Sequence, residues 1–214
     1  MIQENIKDTQ KTVNFSVNGT GYSESSPEIL EDTLLNYIRG ILKLTDVKCG
    51  CEKGFCGSCT VMINGSAQKS CARKIKNLQG AVIETPAFIN SPSLSRFSEM
   101  LDRHGAVQCG FCFPGITCSL ESKLKNVEKP SRKEVADALA GHICRCTGYV
   151  PIIEAAAGEG IARGRESDNA FKNICRSPVR EDSASKLNGS ALYADDLQFE
   201  NMLHVHVLRS AHAR

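Results

Sequence analysis

Eight of the eleven cysteines in this 214-residue chain fall into two sets of four. The first set is Cys51, Cys56, Cys59 and Cys71, opening with the run Cys51-Glu-Lys-Gly-Phe-Cys56-Gly-Ser-Cys59. The second joins Cys109 and Cys112, in Gln108-Cys-Gly-Phe-Cys112, to Cys144 and Cys146, in Cys144-Arg-Cys146-Thr-Gly-Tyr149. To gather four thiols at one place the backbone has to bend sharply around them. Gly50, Gly54 and Gly57 suit the first set, because glycine admits positive φ and lets backbone N–H groups come close to sulfur.

Little else in the composition competes with this feature. A hydrophobic fraction of 41% and a charged fraction of 23% are those of an ordinary globular protein, and a net charge of +2 gives no reason to expect nucleic acid or an anionic membrane as partner. No apolar run is long enough to span a bilayer. The stretch Met1-Ile-Gln-Glu-Asn-Ile-Lys-Asp has neither the apolar core of a secretory signal nor a twin arginine. The chain is therefore expected to be cytoplasmic, where clustered thiols serve as metal ligands rather than disulfides.

The organisation changes along the chain. After a polar lead-in to about residue 10, Val13, Phe15 and Val17 alternate with polar residues up to Asn18-Gly19, which predicts a strand entering a tight hairpin. Leu34, Leu35, Ile38 and Leu42 recur at helical spacing. The cysteine loop follows, then Val61-Met-Ile63, a second hairpin signal at Asn64-Gly65, and the strand-like Ala81-Val-Ile-Glu. Strands wrapped on one helix, with a cysteine loop after it, predict a β-grasp ferredoxin-type domain over 11–88.

From 91 to 165 nearly every periodic signal is helical. The stripes are Leu94/Phe97/Leu101, then Ile116/Leu120/Leu124 behind Pro114, then Val135/Leu139/Ile143 behind the capping box Ser131-Arg-Lys-Glu134, and last Ile152/Ile153/Ala156/Ala157 behind Pro151. This predicts an all-α four-helix domain with the second cysteine set at its helix junctions, so the fold class is α+β. Residues 166–178 read as a linker. Residues 179–214, with a strand expected over 202–208, are too few for an independent domain and read as the start of something larger.

The spacing of the first set, C-x4-C-x2-C followed by a fourth cysteine, is that of plant-type [2Fe–2S] sites, and iron in such a cluster takes soft thiolate ligands tetrahedrally. Backbone donors near the sulfurs also tune its potential. A structural zinc site is the alternative, although zinc favours C-x2-4-C pairs over this asymmetric triplet. For the second set, zinc or a Cys109/Cys112 dithiol stand as alternatives, the dithiol lacking a thioredoxin-like strand-to-helix context.

The motifs Gln108-Cys-Gly-Phe-Cys-Phe-Pro-Gly115 and Gly141-His-Ile-Cys-Arg-Cys-Thr-Gly-Tyr149 closely resemble signatures of the xanthine dehydrogenase and aldehyde oxidoreductase family of molybdenum hydroxylases. Lys48-Cys-Gly-Cys51-Glu-Lys-Gly-Phe-Cys-Gly-Ser-Cys59-Thr-Val61 is similar to that family's ferredoxin domain, and 179–214 resembles the incomplete start of its molybdopterin-binding region. The resemblance implies an electron-transfer component, not catalytic alone, that passes electrons from a molybdopterin site through two [2Fe–2S] clusters to an acceptor. It implies that Gln108 and Cys146 touch the pterin, the molybdopterin cofactor being held mainly by a region or partner beyond this one. The implied partners are a molybdopterin-binding subunit or domain and a FAD subunit or other acceptor. Two positions depart from the pattern: His142, where asparagine is usual, and Cys49, where a bulky apolar residue is common. A self-standing iron–sulfur carrier or a zinc-binding interaction module is the alternative function.

Other features carry less. Cys118 reads as a core thiol and Cys175 as a linker thiol, and Cys49 is badly spaced to replace Cys51. His204 and His206 share a strand face without a third ligand. Gly158-Glu-Gly160 follows a helix and is a poor dinucleotide motif. The cluster Lys69, Arg73, Lys74 and Lys76 reads as a solvated face.

Overall fold

Strands β1 (Val13–Val17) and β2 (Thr20–Glu24) pair antiparallel through Asn18 and Gly19, whose φ values of 52° and 78° make the left-handed turn that this dipeptide favours. Asn64 and Gly65 repeat the device, with φ of 50° and 76°, between β3 (Thr60–Ile63) and β4 (Ser66–Lys69). The computed structural model describes residues 12–159, 180–203 and 205–212. The expected linker 166–178, Cys175 and His204 lie outside the described residues.

A fifth strand, β5 (Val82–Glu84), completes a mixed sheet of order β2-β1-β5-β3-β4, parallel to β1 and antiparallel to β3. Val13, Phe15 and Val17 point into the core that the alternation foretold, and Ile83 is fully buried between β1 and β3. The sheet's core is closed by α1 (Pro27–Glu31) and by α2 (Leu34–Asn36), which runs straight into a π-turn over Tyr37–Ile41. That wider turn, marked by the 3.0 Å bond from Leu42 N–H to Tyr37 C=O, shifts the expected stripe. Tyr37 is buried alongside Leu34, Leu35 and Ile38, and Leu42 only packs against the edge of the core. The Tyr37 hydroxyl keeps a partner by donating to Glu24 at 2.6 Å.

The helical region follows as α3 (Pro92–Arg103), α4 (Phe113–Leu124), α5 (Arg132–Leu139) and α6 (Val150–Ala156). Ser91 caps α3 by accepting from the Leu94 N–H, and Ser131 and Glu134 form the full capping box on α5. Buried on nearly every side, α4 is central: α3 and α5 flank it, and β3 and β4 pack on it from the sheet. Cys118, on α4, is a core thiol. The molecule is thus a mixed α/β structure, strands first and helices after.

Residues 180–212 depart from expectation. A short helix, α7 (Ser183–Asn188), packs on α3 and α4 and inserts Leu187 into the helical core. The strand expected over 202–208 is absent among the described residues: Val205 and Leu208 are 89% and 91% exposed. Alternating apolar residues need a neighbouring strand for their backbone groups before they form one, and no described strand lies beside them.

Candidate metal centres

The first cysteine set sits in the loop after the π-turn. The Cys51 thiol accepts backbone N–H groups from Cys56 at 3.3 Å and Lys53 at 3.5 Å. These bonds, that of Cys56 foremost, pull its pKa down to about 6, so the thiolate is favoured near neutrality. Cys51 and Cys56 also share a thiol–thiol hydrogen bond. Cys59 and Cys71 form a second such pair: burial first, then the bond to Cys59, pushes Cys71 up to about 11, with the Cys51 charge nearby. The loop is stapled by Lys69, whose ammonium donates to the carbonyls of Gly54 at 2.7 Å and Phe55 at 3.3 Å, and by the Ser70 hydroxyl on Cys59 C=O at 2.8 Å.

The second set is also paired. Cys109, exposed in the loop before α4, bonds the exposed Cys146, and Cys112, buried at the N-cap of α4, bonds the buried Cys144. Burial raises Cys109 and Cys112. At Cys144 burial works the same way but is outweighed by the Thr147 hydroxyl, which donates to the sulfur at 3.0 Å, and by nearby N–H groups, so its pKa falls below the usual thiol value. Tyr149, with φ of 68°, ties this loop: its hydroxyl accepts from Cys144 N–H at 3.0 Å and donates to His142 C=O at 3.1 Å.

The two loops meet directly. The Ile143 N–H donates to Cys56 C=O at 2.9 Å, joining a residue adjacent to Cys144 to a member of the first set. Gly57 lies against the Gly141 carbonyl and the His142 ring, where a Cβ would come within 2.7 and 2.5 Å, and Gly115 on α4 meets the Gly57 carbonyl still more closely. His142 is buried here; its Nε2 shares a 2.7 Å hydrogen bond with Ser119 Oγ, and its Nδ1 has no partner. Burial, then the charges of Lys69 and Lys123, holds it down to about 4, so the ring is neutral.

The structure thus brings Cys51, Cys56, Cys59 and Cys71 together, and likewise Cys109, Cys112, Cys144 and Cys146. Gln108, exposed, borders the second set. All ten described cysteines are free thiols. Among the described residues no three His, Cys, Asp or Glu side chains converge as on a single ion. Two-by-two pairing fits a binuclear iron–sulfur cluster, which takes two thiolates per iron. Cys49, half-buried, donates instead to Glu52 at 3.1 Å. Sequence reasoning missed Lys48, Arg39, Tyr193 and Asp196, which meet beside these loops. No local pattern marks them, since their partners lie at the far end of the chain.

Comparison with known proteins agrees with this chemistry. Residues 3–95 match a family described as a 2Fe-2S iron-sulfur cluster binding domain, and residues 83–157 one described as a [2Fe-2S] binding domain. The chain is 41% identical over 124 residues to the nicotine 6-hydroxylase small subunit of Paenarthrobacter nicotinovorans, covering 58% of this chain and 75% of that one. It is 38% identical over 152 residues to xanthine dehydrogenase of Drosophila subobscura, covering 65% of this chain but 11% of that protein. Among solved structures it resembles quinoline 2-oxidoreductase from Pseudomonas putida 86, with TM-score 0.60, 34% identity, and coverage of 69% of this chain and 90% of that one. It also resembles aldehyde oxidoreductase from Desulfovibrio gigas, with TM-score 0.69, 30% identity, and coverage of 87% and 22%. The chain belongs to the family of iron–sulfur subunits and domains of the xanthine dehydrogenase/aldehyde oxidase-type molybdenum hydroxylases.

Proposed function

We propose that this chain is the electron-transfer component of a molybdenum hydroxylase and has no catalytic activity alone. Its sheet and helix form a β-grasp ferredoxin-type domain over 11–88, with an all-α four-helix domain over 91–165. Cys51, Cys56, Cys59 and Cys71 hold one [2Fe–2S] cluster and Cys109, Cys112, Cys144 and Cys146 the other. When bound, the clusters supply one-electron redox chemistry.

The observation that carries this reading is the 2.9 Å hydrogen bond from Ile143 N–H to Cys56 C=O. With the short backbone stretches on either side, it gives a continuous bonded bridge between Cys56 and Cys144. Around it the chain excludes water with Gly57, Gly115 and the neutral His142 ring. The ends of the bridge differ in surroundings. Gln108, Cys109 and Cys146 are exposed together and form the face toward the pterin of a molybdopterin-binding subunit or domain. Phe55, 68% exposed in the first loop, marks the face toward a FAD subunit or other acceptor. We place the protein in the cytoplasm, where thiols kept free for metal are stable.

Anaerobically purified protein should contain about four irons and four labile sulfides per chain, two of each per centre, with two distinct EPR signals after reduction. A colourless, zinc-loaded protein would overturn the reading in favour of an interaction module.

A further inference from the structure

Residues 182–196 lie beyond both matched families, the second of which ends at residue 157, and the thiol chemistry above does not use them. Yet they touch four consecutive residues of the loop that carries Cys109. The Lys186 ammonium donates to Gln108 C=O at 3.2 Å, and the Lys186 stem lies over Gly110, where a Cβ would fall 2.5 Å from it. The Tyr193 hydroxyl donates to Cys109 C=O at 2.7 Å, and its ring meets Phe111 edge-on at 5.1 Å.

The other side of the segment is anchored just ahead of the first cysteine loop. Lys48 and Asp196 have fully buried side chains and form an ion pair at 2.8 Å, and Lys48 also donates to Ala191 C=O at 2.7 Å. Arg39 reaches the second oxygen of Asp196 at 2.8 Å. Lys48 lies 4.9 Å from the centroid of the Tyr193 ring, a cation–π contact that fixes that ring in place. Buried pairs of this kind add little net stability, because desolvation offsets attraction, but they penalise any other arrangement.

We propose that residues 182–196 form a clasp in cis that positions the Cys109 loop, with Tyr193 as the positioning residue. This rests on the reading of Cys109 as a cluster ligand. Phe111 N–H donates to the Cys109 sulfur, so the Tyr193 ring, by fixing Phe111, fixes a donor to that sulfur. Donors to a ligand sulfur disperse its negative charge and raise the reduction potential of a bound cluster. Among the described residues Tyr193 makes no hydrogen bond to a cysteine of the first set, whose signal should therefore not respond.

The test uses the full chain, anaerobically purified, with Tyr193→Phe and Tyr193→Ala. Redox titration followed by EPR should show the signal of the Cys109 centre moving to lower potential, further in Tyr193→Ala, with the other signal unmoved. In metal-free protein, hydrogen exchange at residues 108–111 should be faster in Tyr193→Ala than in wild type. Should wild type show no iron–sulfur signals, the cluster reading fails, and the exchange comparison alone decides for or against the clasp. Should Tyr193→Ala not fold, Tyr193→Leu, which also removes the ring that meets Phe111, decides through the same two readouts. Wild-type potentials and wild-type exchange in the folded variants would overturn the proposal, as would an equal shift of both signals.

Discussion

A thiol that gives up its proton readily and one that resists can serve the same cluster, and both kinds occur in each set. Cys51 is drawn down to about 6 by backbone donors, while its neighbour Cys71 is pushed up to about 11 by burial. Binding iron must expel the remaining protons, so cluster assembly is expected to slow as pH falls. Substituting one ligand per set separates the centres. Cys56→Ser should remove or destabilise one EPR signal and Cys112→Ser the other, each leaving its companion intact. Retention of both signals with full iron content in either variant would show that ligand set to be wrong. Close backbone approach at Gly115 is as demanding as ligand chemistry. A Cβ there would fall 2.3 Å from the Gly57 carbonyl oxygen, which already accepts hydrogen bonds from the Thr60 N–H and hydroxyl. Gly115→Ala should destabilise the protein by about 1–3 kcal/mol, measured by denaturant unfolding of the metal-bound chain.

Elements whose signals are short-range were legible in the sequence. The Asn-Gly hairpins, the Pro-initiated helices and the Ser131/Glu134 box each lie within a few residues of the structure they dictate. Ser131→Ala should therefore cost about 1 kcal/mol in the same unfolding measurement, the usual value of a lost N-cap. The thiol pairs Cys51/Cys56, Cys59/Cys71, Cys109/Cys146 and Cys112/Cys144 each fall within one of the sets that the cysteine spacing proposes. What escaped was long-range. Nothing near Lys48 foretells a carboxylate 148 positions away, and the π-turn exchanges Leu42 for Tyr37 in the core through a backbone adjustment that side-chain periodicity does not record. Helix α7 was missed because its six residues are mostly polar and only Leu187 enters the core. The Asp196 anchor also sets a pH limit. Burial favours its neutral form, but hydrogen bonds from Lys48 and Arg39 outweigh this and hold it below the ordinary 3.8. A carboxylate lowered on folding stabilises the folded state above its unfolded value and loses that contribution as pH falls through the folded one. Hydrogen exchange over 190–196 should be protected alike from about pH 5 to 8 and lose protection only in stronger acid.

At the scale of the whole molecule, the proposed function poses the question of which centre would face a molybdenum site. The two differ in what surrounds them: Cys59 and Cys71 are buried, whereas Cys109 and Cys146 are exposed beside an exposed Gln108. A ligand cysteine at the surface can also accept a hydrogen bond from a cofactor held by a partner, and the Gln108 amide offers both a donor and an acceptor. The local alternative is that Gln108 serves only its own loop, as polar loop residues often do. Its carbonyl does hold Lys186, but that bond uses the backbone and survives any substitution of the side chain. Gln108→Ala should therefore leave iron content, both EPR signals and the clasp unchanged, while weakening association with a molybdopterin-binding partner or slowing electron transfer from it. Rapid-reaction reduction of the clusters by substrate in an assembled complex measures the second effect. Unchanged assembly and transfer in Gln108→Ala, together with their loss on substitution beside Cys59, would mean that electrons enter at the ferredoxin-type centre and leave from the helical one.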